Sequence, residues 1–496
     1  MKQFDLIVIG SGSGLDVAIA AANYGLKVAI IEKDSLGGTC LNRGCIPSKM
    51  LIHSADVAET IDRASLFGIN FKEYQVDFPA IVKKVTDEID SESASIENAL
   101  RSESNPMLFK GTCKFVGDKV LQVGEETLIA EKFLIACGSR ANVPSIPGLN
   151  ESGYITSDQA LRLTVQPKVL TILGGGYIAA ELAHFFGSLG TEINIIQRNK
   201  LLVPLEDSEI SEQFTHIMSH KYNVLTGYEP IAVSKQSGDF EVAVENVVTK
   251  ERKMVKSDQL LVATGRIPNS DLLDLEKTGV KTDEKGNIVT DAYLETNVLG
   301  VFALGDVIGR FPFKHAANLE AEYALQNLLM PDQKIAVDYA AMPHAIFSSP
   351  QIAGVGKTEQ QLKAENANYV ASKWNYIDSG MGQAIEDRTG FVKILIDQKT
   401  LNILGCHIIG TDASTLIHEV IIAMRCGSGS IMNILGAVHI HPALSEIVKR
   451  AASNLPLLSH EHEHEHDHNH DDEHAHSHDT SLRENEPSQA PHEQQQ

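Results

Sequence analysis

At 496 residues the chain is longer than a single core usually extends, so three or four domains are expected, each large enough to bury a core of its own. Its 65 Asp and Glu against 42 Lys and Arg give a formal charge of −23, which argues against nucleic acid or an anionic membrane as partner. No apolar run approaches the ~18 residues of a membrane span, and the opening stretch Leu6–Ile9 is too short for a signal-peptide core, so a cytoplasmic chain is expected.

In chain order, an apolar run from Phe4 to Ile9 leads into Gly10-Ser11-Gly12-Ser13-Gly14, then a helix-forming stretch from Val17 to Ala22. A second strand, Val28 to Ile31, ends at Glu32. This is the order of a dinucleotide-binding unit: glycines let the backbone approach a pyrophosphate at a helix N-terminus, and the acid accepts from a ribose hydroxyl. Leu15 stands where the usual pattern has its third glycine, which puts close packing of helix on strand in question at that point.

Gly37 to Met50 reads GGTCLNRGCIPSKM and holds Cys40 and Cys45 with four residues between them. Cysteines that close can reach the ~7 Å Cα separation a disulfide allows if the backbone turns back on itself. A metal site or a pair of inert thiols are the alternatives, but no second Cys/His pair accompanies this one. In a chain expected to be cytoplasmic, the other four cysteines, Cys113, Cys137, Cys406 and Cys426, stand alone among apolar neighbours and are read as core residues.

The strand, glycine turn, helix and strand recur at Val169–Leu173, Gly174-Gly175-Gly176-Tyr177-Ile178-Ala179, Ala180–Gly187 and Glu192–Ile196, and two such units imply two dinucleotides. Further on stand FLIACGSR (Phe133–Arg140), LVATGRIPN (Leu261–Asn269) and VFALGD (Val301–Asp306). From about Ala341 the pattern changes to short alternating strands, Phe391–Ile396 and Ile403–Ile409 among them, and a helix from about Ser414 to Arg425, which suggests a separate α+β domain. VHIHPALSEIV (Val438–Val448) closes the body.

These segments together resemble the flavin-dependent pyridine nucleotide–disulfide oxidoreductases, a group that includes dihydrolipoamide dehydrogenase, glutathione reductase, mercuric reductase and mycothione reductase. The resemblance implies an α/β chain of two Rossmann-like dinucleotide-binding domains, for FAD and NAD(P), with a C-terminal α+β dimerisation domain. The expected division is 1–145 and 265–335 for the FAD-binding and central parts, 146–264 for the nicotinamide nucleotide, 336–458 for dimerisation and 459–496 for a tail. It implies FAD held by Gly10, Gly12, Gly14, Glu32, Gly38, Thr39, Lys49, Gly138 and Asp306, and the second nucleotide by Gly174, Gly176, Tyr177, Ile178, Arg198 and Gly265. Cys45 is then the charge-transfer thiolate beside the flavin and Cys40 the thiol that attacks substrate, because a flavin takes hydride whereas disulfides react by thiolate exchange. Lys49 is expected to pair with Glu181 near the flavin. His441 and Glu446 are expected as an acid–base pair, supplied in relatives by the other subunit of a homodimer with a shared active site. His439 reads as structural, and Arg43 either lowers a thiolate pKa or is a solvated loop residue.

After the second unit's strand comes Gln197-Arg198-Asn199-Lys200 in place of an acid, which favours NADP(H) over NAD(H). The substrate is expected to be a small-molecule disulfide or dithiol. No vicinal cysteine pair near the C-terminus suits a mercuric reductase, no extra C-terminal redox pair suits the large thioredoxin reductases, and Leu15–Tyr24 lacks the arginine of glutathione reductase. The fullest resemblance is to mycothione reductase, with dihydrolipoamide dehydrogenase as the alternative.

From Ser459 to Gln496 there are eleven acidic residues and one basic, Arg483, so the tail carries about −10 of the charge. Histidine alternates with Glu, Asp and Asn there, too polar to offset its ordering entropy, and disorder is expected. His460, His462, His464, His466, His468 and His470 are candidate ligands for Ni, Zn or Cu, which makes metal buffering the competing reading from another class.

Overall fold

The computed structural model describes residues 1–455, so the tail and its histidines lie outside the described residues. β1 (Lys2–Ile9) lies between two parallel neighbours, β2 (Val28–Glu32) and the strand Glu126–Ile135. Covered on both faces, such a strand needs apolar side chains in succession, and Leu6, Ile7, Val8 and Ile9 are all buried. The sheet has seven strands, and the last to join it, Val301–Ala303, pairs parallel with Phe133–Ile135. The chain therefore leaves this sheet, builds a second one, and returns.

α1 (Ser13–Asn23) begins within the glycine run, earlier than the apolar pattern marks, because Gly12 caps it without a side-chain bond and the first turn is polar. The close contact missing at Leu15 is made one residue earlier: a Cβ on Gly14 would lie 2.9 Å from Val8 and 3.0 Å from Ala136. Leu15 instead fills the core.

The second unit is a four-stranded parallel sheet in the order Asn223–Thr226, Glu192–Gln197, Val169–Leu173, Gln259–Val262. Its helix, Tyr177–Ser188, also starts directly after the glycines. Gly174 has φ +115°, and a side chain there would meet the Ala263 carbonyl at 2.2 Å. A two-stranded ribbon, Ser139–Ala141 with Arg266–Pro268, ties the exits of the two units together.

The C-terminal part is a five-stranded antiparallel sheet, Pro343–Ile346, Gln351–Gly356, Ile403–Gly410, Phe391–Asp397 and Tyr369–Asn375, with the helices Ala413–Arg425 and Ser445–Ser453 packed on it. Cys406 is buried, and burial pushes the half-buried thiols of Cys113 and Cys137 up to about 12, as suits core cysteines. Cys426 departs from its reading as a core residue. It ends the Ala413–Arg425 helix and is exposed, because the apolar face of that helix stops before it.

Between the second unit and the C-terminal sheet lies Lys393, its side chain only 2% exposed, with its ammonium 2.8 Å from Asp207, 2.8 Å from Glu209 and 2.6 Å from Glu359. Burial raises the carboxyl pKa values, but the hydrogen bonds from Lys393 outweigh it, and Glu359 is held down at about 2. Removing one member of a buried pair strands the rest, so Lys393→Met is expected to cost about 3–5 kcal/mol and lower the thermal midpoint at neutral pH. Carboxylates whose pKa is depressed on folding stabilise above their unfolded range near 4 and lose that contribution as pH falls towards about 2. The gap in thermal midpoint between wild type and variant should therefore narrow in acid, and a gap independent of pH would contradict the ion-pair account.

Candidate active site

α2 (Gly38–Arg43) and α3 (Cys45–Asp62) are separated by Gly44 alone, at φ −143° and ψ −117°, where a side chain would meet the Thr39 carbonyl at 2.9 Å. The chain turns back there and sets Cys40, in α2, beside Cys45, the first residue of α3. Both are free thiols, and the two sulfurs share a hydrogen bond. The hydrogen bond from Cys40, helped by the Lys49 charge and opposed by burial, brings Cys45 down to about 7. The same bond, together with burial, drives Cys40 up. Of the two thiols, Cys45 is therefore the one that gives up its proton more readily.

Lys49 lies one turn along α3 from Cys45 and bonds both Glu181 oxygens, at 2.9 and 2.7 Å. Glu181 also accepts from the Phe347 backbone amide at 3.1 Å, and the Lys49 ammonium sits 4.7 Å from the centre of the Phe347 ring. No motif in the sequence marks Phe347, since its part is played by a main-chain amide and a ring face. Arg43 is engaged elsewhere in the turn, 2.9 Å from Asp34 and 3.9 Å from Asp158.

The redox turn is seated on the first glycine turn: Gly38 has φ +65°, and a Cβ there would lie 2.7 Å from the Gly12 Cα. Gly10, at φ +104°, passes under the Ala136 carbonyl, while nothing lies within 4 Å of the Cβ position of Gly12. Thr39 is exposed in α2. Glu32 ends β2, where its Oε2 accepts from the Ser11 amide and hydroxyl at 3.0 and 2.7 Å and its Oε1 from the Asp34 amide at 2.8 Å. Gly138 has φ +67°, and Ser139 after it donates to Asp306 at 2.5 Å. Arg266 in turn bonds the Ser139 hydroxyl and carbonyl, both at 2.7 Å, and lies 3.8 Å from Asp306. Ser139 and Arg266 lie within FLIACGSR and LVATGRIPN, but only the ribbon pairing of their strands reveals that they meet.

In the second unit Gly176 caps the Tyr177–Ser188 helix with no side-chain bond, and nothing lies within 4 Å of its Cβ position. Tyr177 and Ile178 open that helix, and Gly265, at φ +102°, accepts from the Asn142 amide. Burial raises the Tyr177 hydroxyl, with the charges of Arg266, Asp306, Glu181 and Cys45 acting on it, which sets this ring where the two units and the redox pair converge. Gln197 is buried over Gly175, whereas Arg198 and Lys200 are exposed.

His441 and Glu446 form a pair, with Nδ1 3.0 and 3.1 Å from the two carboxylate oxygens, and the hydrogen bond from His441 holds the Glu446 carboxyl below its usual range. The imidazole is 73% exposed, and the charges acting on Cys40 within the chain come from Cys45 and Lys314. His439 beside it is tied to Glu419 and has the structural place read for it.

Two Rossmann-type units, a dithiol turn seated on the first and a separate antiparallel domain define a flavoprotein oxidoreductase of the dithiol class. The chain belongs to the pyridine nucleotide-disulphide oxidoreductases, whose family profile matches residues 4–321, and the family's dimerisation domain matches residues 342–452. It is 37% identical to mycothione reductase of Mycobacterium tuberculosis over 469 residues, 92% of this chain and 100% of that one. It is 35% identical to mitochondrial dihydrolipoyl dehydrogenase 1 of Arabidopsis thaliana, over 90% of this chain and 89% of that one. The copper(II) complex of the HOCl-induced flavoprotein disulfide reductase RclA from Escherichia coli superposes with a TM-score of 0.81 at 26% identity, over 91% of this chain and 99% of that one. Among the described residues no helix is long and apolar enough to cross a membrane.

The described residues fit the family's FAD. The α1 N-terminus carries its amides without a side-chain cap and Gly12 leaves its face open, which suits a pyrophosphate.

Proposed function

We propose that the protein is an NADPH-linked reductase of a low-molecular-weight thiol disulfide, working through Cys40 and Cys45 as a homodimer with a shared active site. The observation that carries the class of reaction is the turn at Gly44, which sets the free cysteines Cys40 and Cys45 side by side with the Lys49–Glu181 pair one helical turn away. The preference for a thiol disulfide over lipoamide rests on the mycothione reductase match, which takes in the whole of that relative, and on Gln197 in place of an acid.

When bound, the flavin supplies two-electron chemistry between nicotinamide and the dithiol. Gly10, Gly12, Gly14, Glu32, Gly38, Thr39, Gly138 and Asp306 are the residues assigned to hold it, and Lys49, steadied by Glu181, favours the Cys45 thiolate beside it. Gly174, Gly176, Tyr177, Ile178 and Gly265 are assigned to the nicotinamide nucleotide, with Arg198 on its 2′-phosphate. Cys40, as thiolate, attacks one sulfur of the substrate disulfide, forming a mixed disulfide and expelling the first thiolate. Cys45 then attacks the Cys40 sulfur, closing the Cys40–Cys45 disulfide and expelling the second. His441, oriented by Glu446, takes the Cys40 proton and returns it to the leaving thiolate. Val438 and Ile440, 98% and 78% exposed in the single chain, precede this histidine and support its insertion into a partner.

Parallel assays with NADPH and mycothione, and with NAD⁺ and dihydrolipoamide, test the assignment. Arg198→Glu is expected to raise the Michaelis constant for NADPH and improve use of NADH, because it sets an acid where the phosphate is assigned. A wild-type enzyme that already prefers NADH would overturn the nucleotide choice and favour the dehydrogenase.

A further inference from the structure

α2 carries Cys40, and little in its own sequence holds it in place. It has six residues, and its cap, Gly37 at φ +95°, offers no side-chain bond to the first-turn amides. Isolated helices need roughly 12–15 residues to be stable in water, so α2 takes its position from contacts made outside it. The segment before it is well anchored. The Gly37 amide donates to the Ser11 hydroxyl at 3.1 Å, Gly38 packs on Gly12, and the Leu36 carbonyl accepts from the Ser93 hydroxyl at 2.8 Å.

Asn42 joins α2 to that segment. It lies between Cys40 and Cys45 and is 5% exposed. Its side-chain nitrogen stands 3.3 Å from the Ser35 carbonyl oxygen, 2.8 Å from that of Leu36 and 2.9 Å from that of Gly38. The amide hydrogens are thus shared among carbonyls on both sides of the left-handed turn at Gly37. The other end of the carboxamide is left wanting: Asn42 Oδ1 is buried with no hydrogen-bond partner among the described residues. A bare buried acceptor is unfavourable, but turning the amide over would set that oxygen against three carbonyls, so the contacts of the nitrogen fix the group. A side chain held this way between two reactive thiols points to position rather than to packing alone.

We propose that Asn42 is the positioning residue of the redox pair, its carboxamide holding α2 on the segment before it so that Cys40 stays within bonding reach of Cys45. Cys45 is placed by α3, an 18-residue helix whose Leu51, Ile52 and Ala55 are buried, whereas Cys40 sits on a short helix placed by a side chain. The inference rests on the redox role proposed above for the two cysteines. Closing the disulfide joins the two sulfurs and passes two electrons and two protons to the oxidant. Its equilibrium depends on the effective concentration of one thiol at the other, which a fixed α2 raises.

The test brings the holoenzyme to equilibrium, without oxygen, with mixtures of dithiothreitol and its oxidised cyclic form, then reads the Cys40 and Cys45 peptides by mass after alkylation. In that exchange the protein dithiol becomes a disulfide as oxidised dithiothreitol becomes the dithiol, so electrons and protons balance. Asn42→Ala is expected to shift the equilibrium about tenfold towards the open dithiol, a potential about 30 mV more oxidising. Asn42→Asp keeps the shape but sets a carboxylate on the three carbonyls, and should shift it at least as far. Ser93→Ala removes a second donor from the Leu36 carbonyl while leaving Asn42 in place, and should keep the wild-type potential. Wild-type potentials in both Asn42 variants overturn the proposal. So does an equal shift in Ser93→Ala, which would assign the effect to the anchored segment, or loss of flavin with an unshifted potential, which would assign the amide to the cofactor site. A wild-type protein that forms no Cys40–Cys45 disulfide in any mixture would instead sink the redox role itself, whatever Asn42 does.

Discussion

Cys40→Ser is expected to reduce disulfide turnover to background while leaving flavin bound and reducible by nicotinamide nucleotide. The serine hydroxyl keeps a donor beside the Cys45 sulfur and alters nothing in the glycine turn, Glu32 or Asp306. A hydroxyl cannot form a disulfide, so neither the mixed species nor the closing bond is available. The two half-reactions therefore separate. Anaerobic mixing with NADPH should bleach the oxidised flavin at close to the wild-type rate, and subsequent addition of disulfide should not restore its absorbance. Retained turnover would remove Cys40 from its role. A protein purified without flavin would show instead that the redox turn, through the contact of Gly38 with Gly12, is needed to shape the cofactor site.

How much of this was legible in the residues divides along a physical line. Local chemistry could be read: a strand running into glycines, two cysteines at short spacing, and a histidine with a carboxylate five residues on all announce themselves because the groups that act together are near in sequence. The helix-forming pattern of the first helix begins at Val17, after the glycine run, whereas Ser13 is held in α1 by backbone geometry. Leu15 looked like a defect in the glycine pattern only because the position of closest approach cannot be assigned without knowing which atoms Gly14 faces. The contacts made across the fold were illegible for the same reason. Phe347, just past the strand Pro343–Ile346, and Arg266, in a strand, reach the site from segments whose relative placement no motif encodes, and the exposure of Cys426 depends on where a helix face runs out.

His441→Ala is expected to slow disulfide turnover by about 10²–10⁴-fold, the usual worth of a general acid–base group, without weakening flavin binding. Cys40 holds its proton against Cys45, so the attack needs a base, and the first leaving thiolate needs an acid. His441 is suited to both because Glu446 accepts from Nδ1 and leaves Nε2 to exchange protons. Within one chain its ring is largely exposed. If the imidazole crosses to a partner, two inactive variants should complement each other. Cys40→Ser keeps its histidine and His441→Ala keeps its thiols, so a mixed dimer has one site in which an intact Cys40 meets an intact His441. Random reassociation makes half the dimers mixed, each with one of two sites restored, and the mixture should recover about a quarter of wild-type turnover. If cysteine and histidine instead came from the same chain, every site in the mixture would lack one of them, and no activity would return.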